Sequence, residues 1–311
     1  MKPPTLYFIG HISIDRVQNI WGKRIQLGGA ALYSAMGAKV LSKNIRIISS
    51  VGKDFNDMNF LYSSFPNSLI RRVNMPSTFF DISYDEKFKA SYNEIRLGSG
   101  ALIKVSDLPA HWLQGNEYIH IAPMHPEKTE RLVKRIKKIS PKTWISLNSN
   151  LQYLNVAKCR KILRSLAEEV DLFIVNDREA VVLSESHSLS SAIHRINSKR
   201  LAVTLGELGA IVVEKGQTQM IPALSSLIVT PKDTTGAGDT WCGSLLAAFA
   251  LTQDWTKSVA TACLVSALKC LDWSFDKIKN LQFNEPDELV DYILRLKDGS
   301  NQLSLKDFMK T

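Results

Sequence analysis

Short apolar runs alternate along this chain with amphipathic segments of helical periodicity. An almost continuously apolar run suits a strand that is buried on both faces of a parallel sheet. The predicted strands are 5–10, 45–51, 117–122, 143–147, 172–175, 201–204, 210–213 and 227–230. The predicted helices are 29–41, 55–64, 127–138, 157–167, 178–184, 189–197, 244–251, 258–271 and 286–296. This alternation predicts a single α/β domain over residues 1–311, with a doubly wound, mostly parallel sheet sandwiched by helices.

Residues 77–98 break this pattern. The runs at 79–84 and 90–96 are β-like but mix apolar and polar positions around a polar turn at 85–87, so they predict an exposed, two-sided hairpin. Together with residues 14–27, this hairpin predicts a small β-sheet lid that would exclude water from a substrate site. The exposed apolar residues of such a lid also make it a candidate surface for a homodimer.

Composition and charge narrow the class of protein. The chain has 311 residues, 45% of them hydrophobic, and a formal net charge of +9. The densest basic run, residues 131–138, carries apolar residues at helical spacing and no aromatic residue, which indicates a solvated helix face and not a nucleic-acid surface. The excess positive charge also suits an anionic substrate such as ATP.

The sequence shows no sign of a membrane protein, a metal-binding protein or a disulfide-bonded protein. No apolar run approaches the ~20 residues that span a bilayer, and the N-terminus reads directly into a strand without a signal peptide. The four cysteines have no metal-like pairing, and the six histidines show no ligand spacing. We therefore expect a cytoplasmic protein that binds neither membranes nor nucleic acid.

The most informative stretch is Asp233-Thr-Thr-Gly-Ala-Gly-Asp239, which lies between an apolar run and a predicted helix. Gly236 and Gly238 permit a tight turn and let a ligand approach the main chain. The free N–H groups of the first helical turn then favour an anion, most simply a phosphate. A carboxylate at Asp239 would repel a bound phosphate, so it suits a base that removes a proton from an attacking hydroxyl. Asp239 could instead be an ordinary helix-capping aspartate.

Two familiar phosphate-binding motifs do not fit this stretch. A dinucleotide-binding fingerprint requires a third glycine where Trp241 stands. A Walker loop requires Gly-Lys-Ser/Thr, which the chain lacks.

Residues 233–239 resemble the C-terminal signature of the PfkB/ribokinase family of carbohydrate and nucleoside kinases. The resemblance implies a ribokinase-like fold with a β lid, ATP and Mg²⁺ as cofactors, and Asp239 as the catalytic base. It also implies that the main-chain N–H groups of Gly236, Ala237 and Gly238 stabilise the transferred phosphoryl group.

The same resemblance assigns an acceptor end of the site. Asp15 follows the first predicted strand and matches an aspartate that holds substrate hydroxyls, although it could simply form a turn. Gly28 and Gly29 match the family's N-terminal glycine pair, and Tyr33 stands where many sugar-specific members have asparagine. Asp54 matches an element that follows the next strand, or caps the helix predicted after it.

The resemblance also assigns a nucleotide end. Asn176 and Glu179 match an Asn-x-x-Glu element that helps to place magnesium and phosphate, and this spacing also fits a capping arrangement without a ligand. The remaining residues assigned to the nucleotide are Thr204, Gly206, Gly209, Thr235, Gly238 and Thr261. Asp233 and Thr235 match half of a monovalent-cation site, which would hold K⁺, whereas residues 270–274 lack the glycine expected in its other half.

Three functions follow. The first is an ATP-dependent kinase for a hydroxyl of a small sugar, polyol or sugar acid. The second is a nucleoside or myo-inositol kinase, which Tyr33 and the aromatic residues Tyr7, Phe79 and Tyr92 keep open. The third is a non-catalytic descendant that binds a metabolite, which the intact motif at 233–239 disfavours.

Overall fold

The central element of the protein is a nine-stranded sheet. A computed structural model describes residues 4–223 and 231–296. The strands of this sheet are β1 (Thr5–Ile9), β4 (Ile45–Val51), β5 (Leu69–Arg72), β8 (Glu117–Ile121), β9 (Trp144–Asn148), β10 (Leu172–Asn176), β11 (Arg200–Thr204), β12 (Ala210–Glu214) and β13 (Gln217–Ile221). Their order is β13-β12-β11-β10-β9-β8-β1-β4-β5. The strands from β11 to β5 are parallel, and β12 and β13 add an antiparallel edge.

A second, four-stranded sheet is built from β2 (Ser13–Asn19), β3 (Gly22–Gly28), β6 (Thr78–Tyr84) and β7 (Ala90–Arg96), in the order β3-β2-β6-β7. The pairs β2–β3 and β6–β7 are antiparallel hairpins, and β2 joins β6 in parallel. We refer to this sheet as the lid sheet. The predicted fold, a mostly parallel sheet with a smaller β lid, is confirmed.

Helices cover both faces of the central sheet. They are α1 (Ala30–Lys39), α2 (Met58–Ser64), α3 (Pro126–Ile139), α4 (Leu151–Leu154), α5 (Ala157–Glu169), α6 (Asp177–Ser184), α7 (Leu189–Arg195), α8 (Ala237–Thr252), α9 (Trp255–Cys270) and the helical residues 286–296. Alternate residues of β1 enter opposite cores: Leu6 and Phe8 pack with α1, α8 and α9, whereas Tyr7 and Ile9 pack with α3 and α5. A strand buried on both faces explains the continuously apolar run in the sequence.

Helices α1 and α8 pack with unusually close backbones. A Cβ atom at Gly37 would lie 2.3 Å from the carbonyl oxygen of Thr240, and one at Gly243 would lie 1.7 Å from that of Ser34. Only glycine leaves room for this approach. Both helices begin at the same edge of the sheet, so this contact sets the spacing between their N-termini.

Several details differ from the sequence expectations or lie outside them. Helix α2 begins at Met58 and not at Phe55, which is buried before the helix starts. The sequence does not predict strand β13, because its residues 217–220 are exposed and three of these four are polar. The predicted strand at 227–230 lies outside the described residues. Among the described residues, no helix is long and apolar enough to cross a membrane, and the four cysteines are buried and free.

Candidate active site

A cavity of about 620 Å³ lies between the lid sheet and the carboxyl ends of the parallel strands. Asn148, Asn176 and Thr204, at the ends of β9, β10 and β11, border it on one side. The N-termini of α1 and α8 border it on another, and the lid sheet covers it. Ligands of open α/β sheets collect at this edge, because side chains from several strand ends converge there.

Asp239 lies in the first turn of α8 and lines this cavity. The side-chain amide of Asn148 donates to its Oδ1 over 3.3 Å. Burial raises the pKa of Asp239 to about 6, and the bond from Asn148 opposes that rise. A carboxylate with a pKa this close to neutrality is suited to accept a proton under physiological conditions.

The turn before α8 has the geometry of an anion site. Gly236 has φ of +71° and lies against the ring of Tyr33, which a Cβ atom would approach to 2.3 Å. The Ala237 N–H already donates to the carbonyl of Thr234 over 3.1 Å. The N–H groups of Gly238 and Asp239, in the first turn of α8, have no partner within the helix and are left for a ligand. Of the amides assigned from the sequence, Ala237 is therefore the least suited to bind a phosphoryl group.

Asp15 is a second buried carboxylate that lines the cavity. It is 2% exposed, and the Ser13 hydroxyl donates to its Oδ1 over 2.6 Å. A Cβ atom at Gly28 would lie 1.7 Å from its Oδ2, so the glycine makes the space that this carboxylate occupies. Burial raises the pKa of Asp15 to about 7, and the negative charges of Asp233 and Asp239 add to the rise. Gly28, the first glycine of the pair, thus makes room for Asp15.

The lid sheet contributes an aromatic wall. Alternate residues of β6, Phe80, Ile82 and Tyr84, line the cavity, as expected when successive side chains point to opposite faces. Tyr92 of β7 also lines it, and its ring meets that of Phe80 edge to face at 6.2 Å. The Tyr84 hydroxyl lies 3.0 Å from Oγ1 of Thr235, which ties the lid sheet to the turn before α8.

Two of the aromatic residues named from the sequence lie elsewhere. Phe79 does not line the cavity. The guanidinium carbons of Arg16 and Arg96 lie 5.5 and 5.1 Å from the centre of its ring. Tyr7 is buried within the central sheet, and its hydroxyl donates to the carbonyl of Trp112. Only Tyr92 of that set borders the cavity.

The nucleotide end combines capping with cavity exposure. Oδ1 of Asn176 accepts from the N–H of Glu179 over 2.9 Å, and Oε2 of Glu179 accepts from the N–H of Asn176 over 3.0 Å. The capping interpretation is therefore correct, yet both residues also line the cavity. Burial raises the pKa of Glu179 to about 7. One pair of residues thus fixes the start of α6 and borders the cavity.

Other residues assigned from the sequence do not line this cavity. Asp54 accepts from the N–H and hydroxyl of Ser77, so it braces the chain before β6 and does not cap α2. The Thr261 hydroxyl is turned back onto the carbonyl of Lys257 within α9. Gly206 and Gly209 form the turn beyond Thr204, outside the cavity lining. A contact between this turn and the adenosine group stays a prediction.

Three residues that line the cavity or support its walls are not singled out by the sequence. Asn148 stands at the end of a parallel strand, a position that itself marks candidate site residues. Gln26 of β3 donates to both Asp233 and the Tyr33 hydroxyl. Lys269 is fully buried in α9 and donates to the carbonyl of Asp233. A lysine in otherwise apolar helical sequence was the signal that could have found it.

Comparison with known protein families and with related sequences identifies the family of this chain. A sequence profile of the pfkB family of carbohydrate kinases matches residues 89–274, which include the turn before α8 and Asp239. The chain belongs to this family. Among its relatives is a cytidine kinase of Thermococcus kodakarensis, 26% identical over 250 residues that cover 78% of this chain and 88% of that one. A ribokinase of Haemophilus influenzae is 24% identical over 269 residues, covering 78% and 85%.

Solved structures share the fold of this pfkB family member. The nucleoside kinase of Burkholderia thailandensis in complex with inosine superposes with a TM-score of 0.78 at 18% identity, covering 93% of this chain and 96% of that one. Family membership makes the protein an ATP-dependent kinase that phosphorylates a hydroxyl group of a sugar or nucleoside. The cavity holds a carboxylate and a helix N-terminus suited to that reaction.

Proposed function

We propose that this kinase transfers the γ-phosphoryl group of ATP to a hydroxyl group on the pentose of a nucleoside, with Asp239 as the general base. The observation that carries the proposal is the pairing of Asp15 with an aromatic wall in one cavity. A carboxylate suits sugar hydroxyls, and flat aromatic faces suit a base. The named relatives include both nucleoside and sugar kinases.

The roles of the chain's own residues follow from their positions. Asp239 accepts the proton of the acceptor hydroxyl as that oxygen attacks phosphorus. The N–H groups at the start of α8, from Gly238 and Asp239, stabilise the negative charge on the transferred group, and the positive end of the helix dipole adds to their effect. Asp15 holds other hydroxyls of the acceptor, which keeps the attacking oxygen close to Asp239.

The nucleotide end fits a magnesium-bound triphosphate. Glu179 and Asn176 offer oxygen atoms, the ligand type that Mg²⁺ prefers, at the cavity wall. When bound, Mg²⁺ neutralises charge on the phosphates. We assign Glu179 an indirect role in holding it, since Oε2 already accepts from the Asn176 N–H.

The acceptor class is argued from the lid sheet. Phe80, Tyr84 and Tyr92 present aromatic surface to the cavity. Stacking of a nucleobase on an aromatic side chain is worth about 1–3 kcal/mol, and a sugar without a base lacks the planar π face that makes this contact. This wall therefore favours an acceptor with a planar group beside its pentose.

An assay of ADP release over nucleosides, sugars, polyols, sugar acids and myo-inositol tests this proposal. We expect the highest kcat/KM with a nucleoside. A higher value with a free sugar, polyol or sugar acid would favour the second candidate, which rests on Asp15 alone as the recognition element. Absence of turnover with every acceptor, in a protein that binds ATP, would favour a non-catalytic descendant.

Replacement of Phe80 by alanine is expected to raise KM for the nucleoside about 10–100-fold, because one stacking surface is lost. KM for ATP and turnover of any free sugar should change little. The matched control is Phe79→Ala, on the neighbouring position of β6 but on the opposite face. Equal effects of the two substitutions would contradict a stacking role for Phe80.

We propose that the protein acts in the cytoplasm.

We also propose that the lid sheet forms a homodimer interface. The hairpin of β2 and β3 carries Ile20, Trp21 and Ile25, which are 52%, 53% and 69% exposed to solvent. Exposed apolar side chains that cluster on a surface commonly mark interaction sites. Light scattering of the wild type beside an Ile25→Lys variant measures the mass directly, and a monomeric wild type would exclude this interface.

A further inference from the structure

A buried ammonium group lies beneath the turn before α8. Lys269 is 0% exposed, and its Nζ donates to the carbonyl oxygen of Asp233 over 2.6 Å. The same Nζ lies 3.6 Å from Oδ2 of Asp233 and 5.6 Å from the centre of the Tyr33 ring. Burying a charge is costly unless it is paired and hydrogen-bonded. We therefore expect the contacts of this lysine to offset the free-energy cost of its burial.

Asp233 is a hub whose carboxylate joins separate parts of the site. Oδ1 accepts from the N–H of Thr235, in the turn before α8, over 2.8 Å. Oδ2 accepts from Gln26 of β3 and from the N–H of Ser274, each over 2.9 Å. The hub thus connects the lid sheet, the segment that follows α9 and the turn that presents amides to a phosphate. Lys269 supplies the positive charge at its centre.

A dissolved alkali cation does not fit at this hub. K⁺ is bound by rings of oxygen atoms, typically carbonyls. The carbonyl oxygen of Asp233, which such an ion would need, is already directed at Lys269 Nζ. A second positive charge within a few ångströms of a buried ammonium would be repelled. Lys269 thus occupies the Asp233 carbonyl, one of the oxygen atoms on which the monovalent-cation site expected at Asp233 and Thr235 would depend.

We propose that Lys269 is a built-in cation that takes the place of a dissolved alkali ion: it balances Asp233, fixes the turn at residues 234–238 and makes this kinase independent of potassium. The inference deepens the proposed kinase function and rests on it. Lys269 is a positioning residue, since it reaches the turn through Asp233 and lines no part of the cavity.

The wild type gives the first test. Turnover and Tm are measured in chloride salts of potassium, sodium and tetramethylammonium at equal ionic strength, the last being too large to enter the hub. We expect kcat and Tm to agree within about twofold and about 1 °C across the three salts, since no alkali ion is bound. Activation by K⁺ of about tenfold or more over tetramethylammonium would overturn the proposal.

Substitution of the lysine gives the second test. We expect Lys269→Ala to lower Tm by about 5–10 °C and kcat by about 10²-fold, because Asp233 loses its buried partner. K⁺ or methylammonium should restore about tenfold of the lost kcat and part of the Tm in this variant, whereas Lys269→Met should not respond because methionine fills the space. A purely structural lysine predicts no such rescue, and its absence in a folded Lys269→Ala protein would overturn the proposal.

The matched control is Lys232→Met. Lys232 lies next to Asp233 in sequence, but its side chain is 44% exposed and faces Asp272. This variant should keep the kcat and ion response of the wild type. The Tm measurements need no acceptor, so they test the role of Lys269 even if the nucleoside assignment is wrong. If the Tm values respond to the salts as expected but no variant turns over an acceptor in any salt, the result counts against the proposed function alone.

Discussion

Replacing Asp239 by asparagine is expected to lower kcat by about 10²–10⁴-fold while ATP still binds, the range for losing a general base. The side chain keeps its size and its place in the first turn of α8, so the anion site is retained. Only the capacity to accept the hydroxyl proton disappears. Steady-state kinetics with the best acceptor, together with calorimetric titration of ATP, separates the two effects.

The pH dependence strengthens this test. Since the pKa of Asp239 is raised to about 6, the base becomes protonated as the pH falls through that value, and kcat/KM should fall with it. The residual kcat/KM of Asp239→Asn should not show this fall near pH 6. Asp177→Asn is the control, because Asp177 is also a first-turn aspartate but is exposed. Near-normal turnover in Asp239→Asn would remove Asp239 from the catalytic role.

Replacing Asp15 by asparagine should lower kcat/KM for the acceptor by about 10²–10³-fold, because each hydrogen bond to a charged group is worth about 1.5–3 kcal/mol. The loss should appear mainly in KM for the acceptor, with KM for ATP unchanged. Glu94→Gln, a carboxylate-to-amide change at an exposed position of β7, serves as the control. Loss of ATP affinity equal to the loss of acceptor affinity would place Asp15 at the wrong end of the cavity.

The same substitution should stabilise the protein without ligands. The pKa of Asp15 is raised by burial from 3.8 to about 7. The protonated form is therefore favoured on folding, and stability falls as the pH rises from about 4 to 7. Above pH 7 the charged carboxylate costs on the order of 4 kcal/mol, which asparagine avoids. We expect Asp15→Asn to have the higher Tm at pH 8 and no advantage at pH 4; a lower Tm at pH 8 would contradict this assignment.

Residues whose chemistry is fixed locally were predictable from the sequence. Asp239 and Gly236 lie in a turn whose glycines and following helix define the anion site without reference to the rest of the chain. Asp15 and Asn176 follow apolar runs, and the carboxyl ends of parallel strands necessarily meet at one edge. The alternation of strands and helices predicts the central sheet for the same reason, since the spacing of apolar residues can be read from short stretches of sequence.

Residues whose role depends on distant packing could not be predicted. The choice between Phe79 and Phe80 depends on the register of β6, and a shift of one residue exchanges the two faces of a strand. The Thr261 hydroxyl donates to the carbonyl of Lys257 within α9, a side-chain orientation that the sequence does not show, and its contact with the nucleotide stays a prediction. Lys269 contacts Asp233, which lies 36 positions earlier in the sequence, a pairing that no local pattern encodes.

The glycine contact between α1 and α8 has a consequence for how the two substrates meet. With Gly37 against Thr240 and Gly243 against Ser34, the two helices cannot slide or separate without losing their packing. The close packing therefore fixes the positions of the two helix N-termini relative to each other. A Cβ atom at Gly243 would displace the backbone of Ser34. Because a misplacement of about 1 Å can cost about 10²-fold in rate, a methyl group there should slow phosphoryl transfer although Gly243 does not line the cavity.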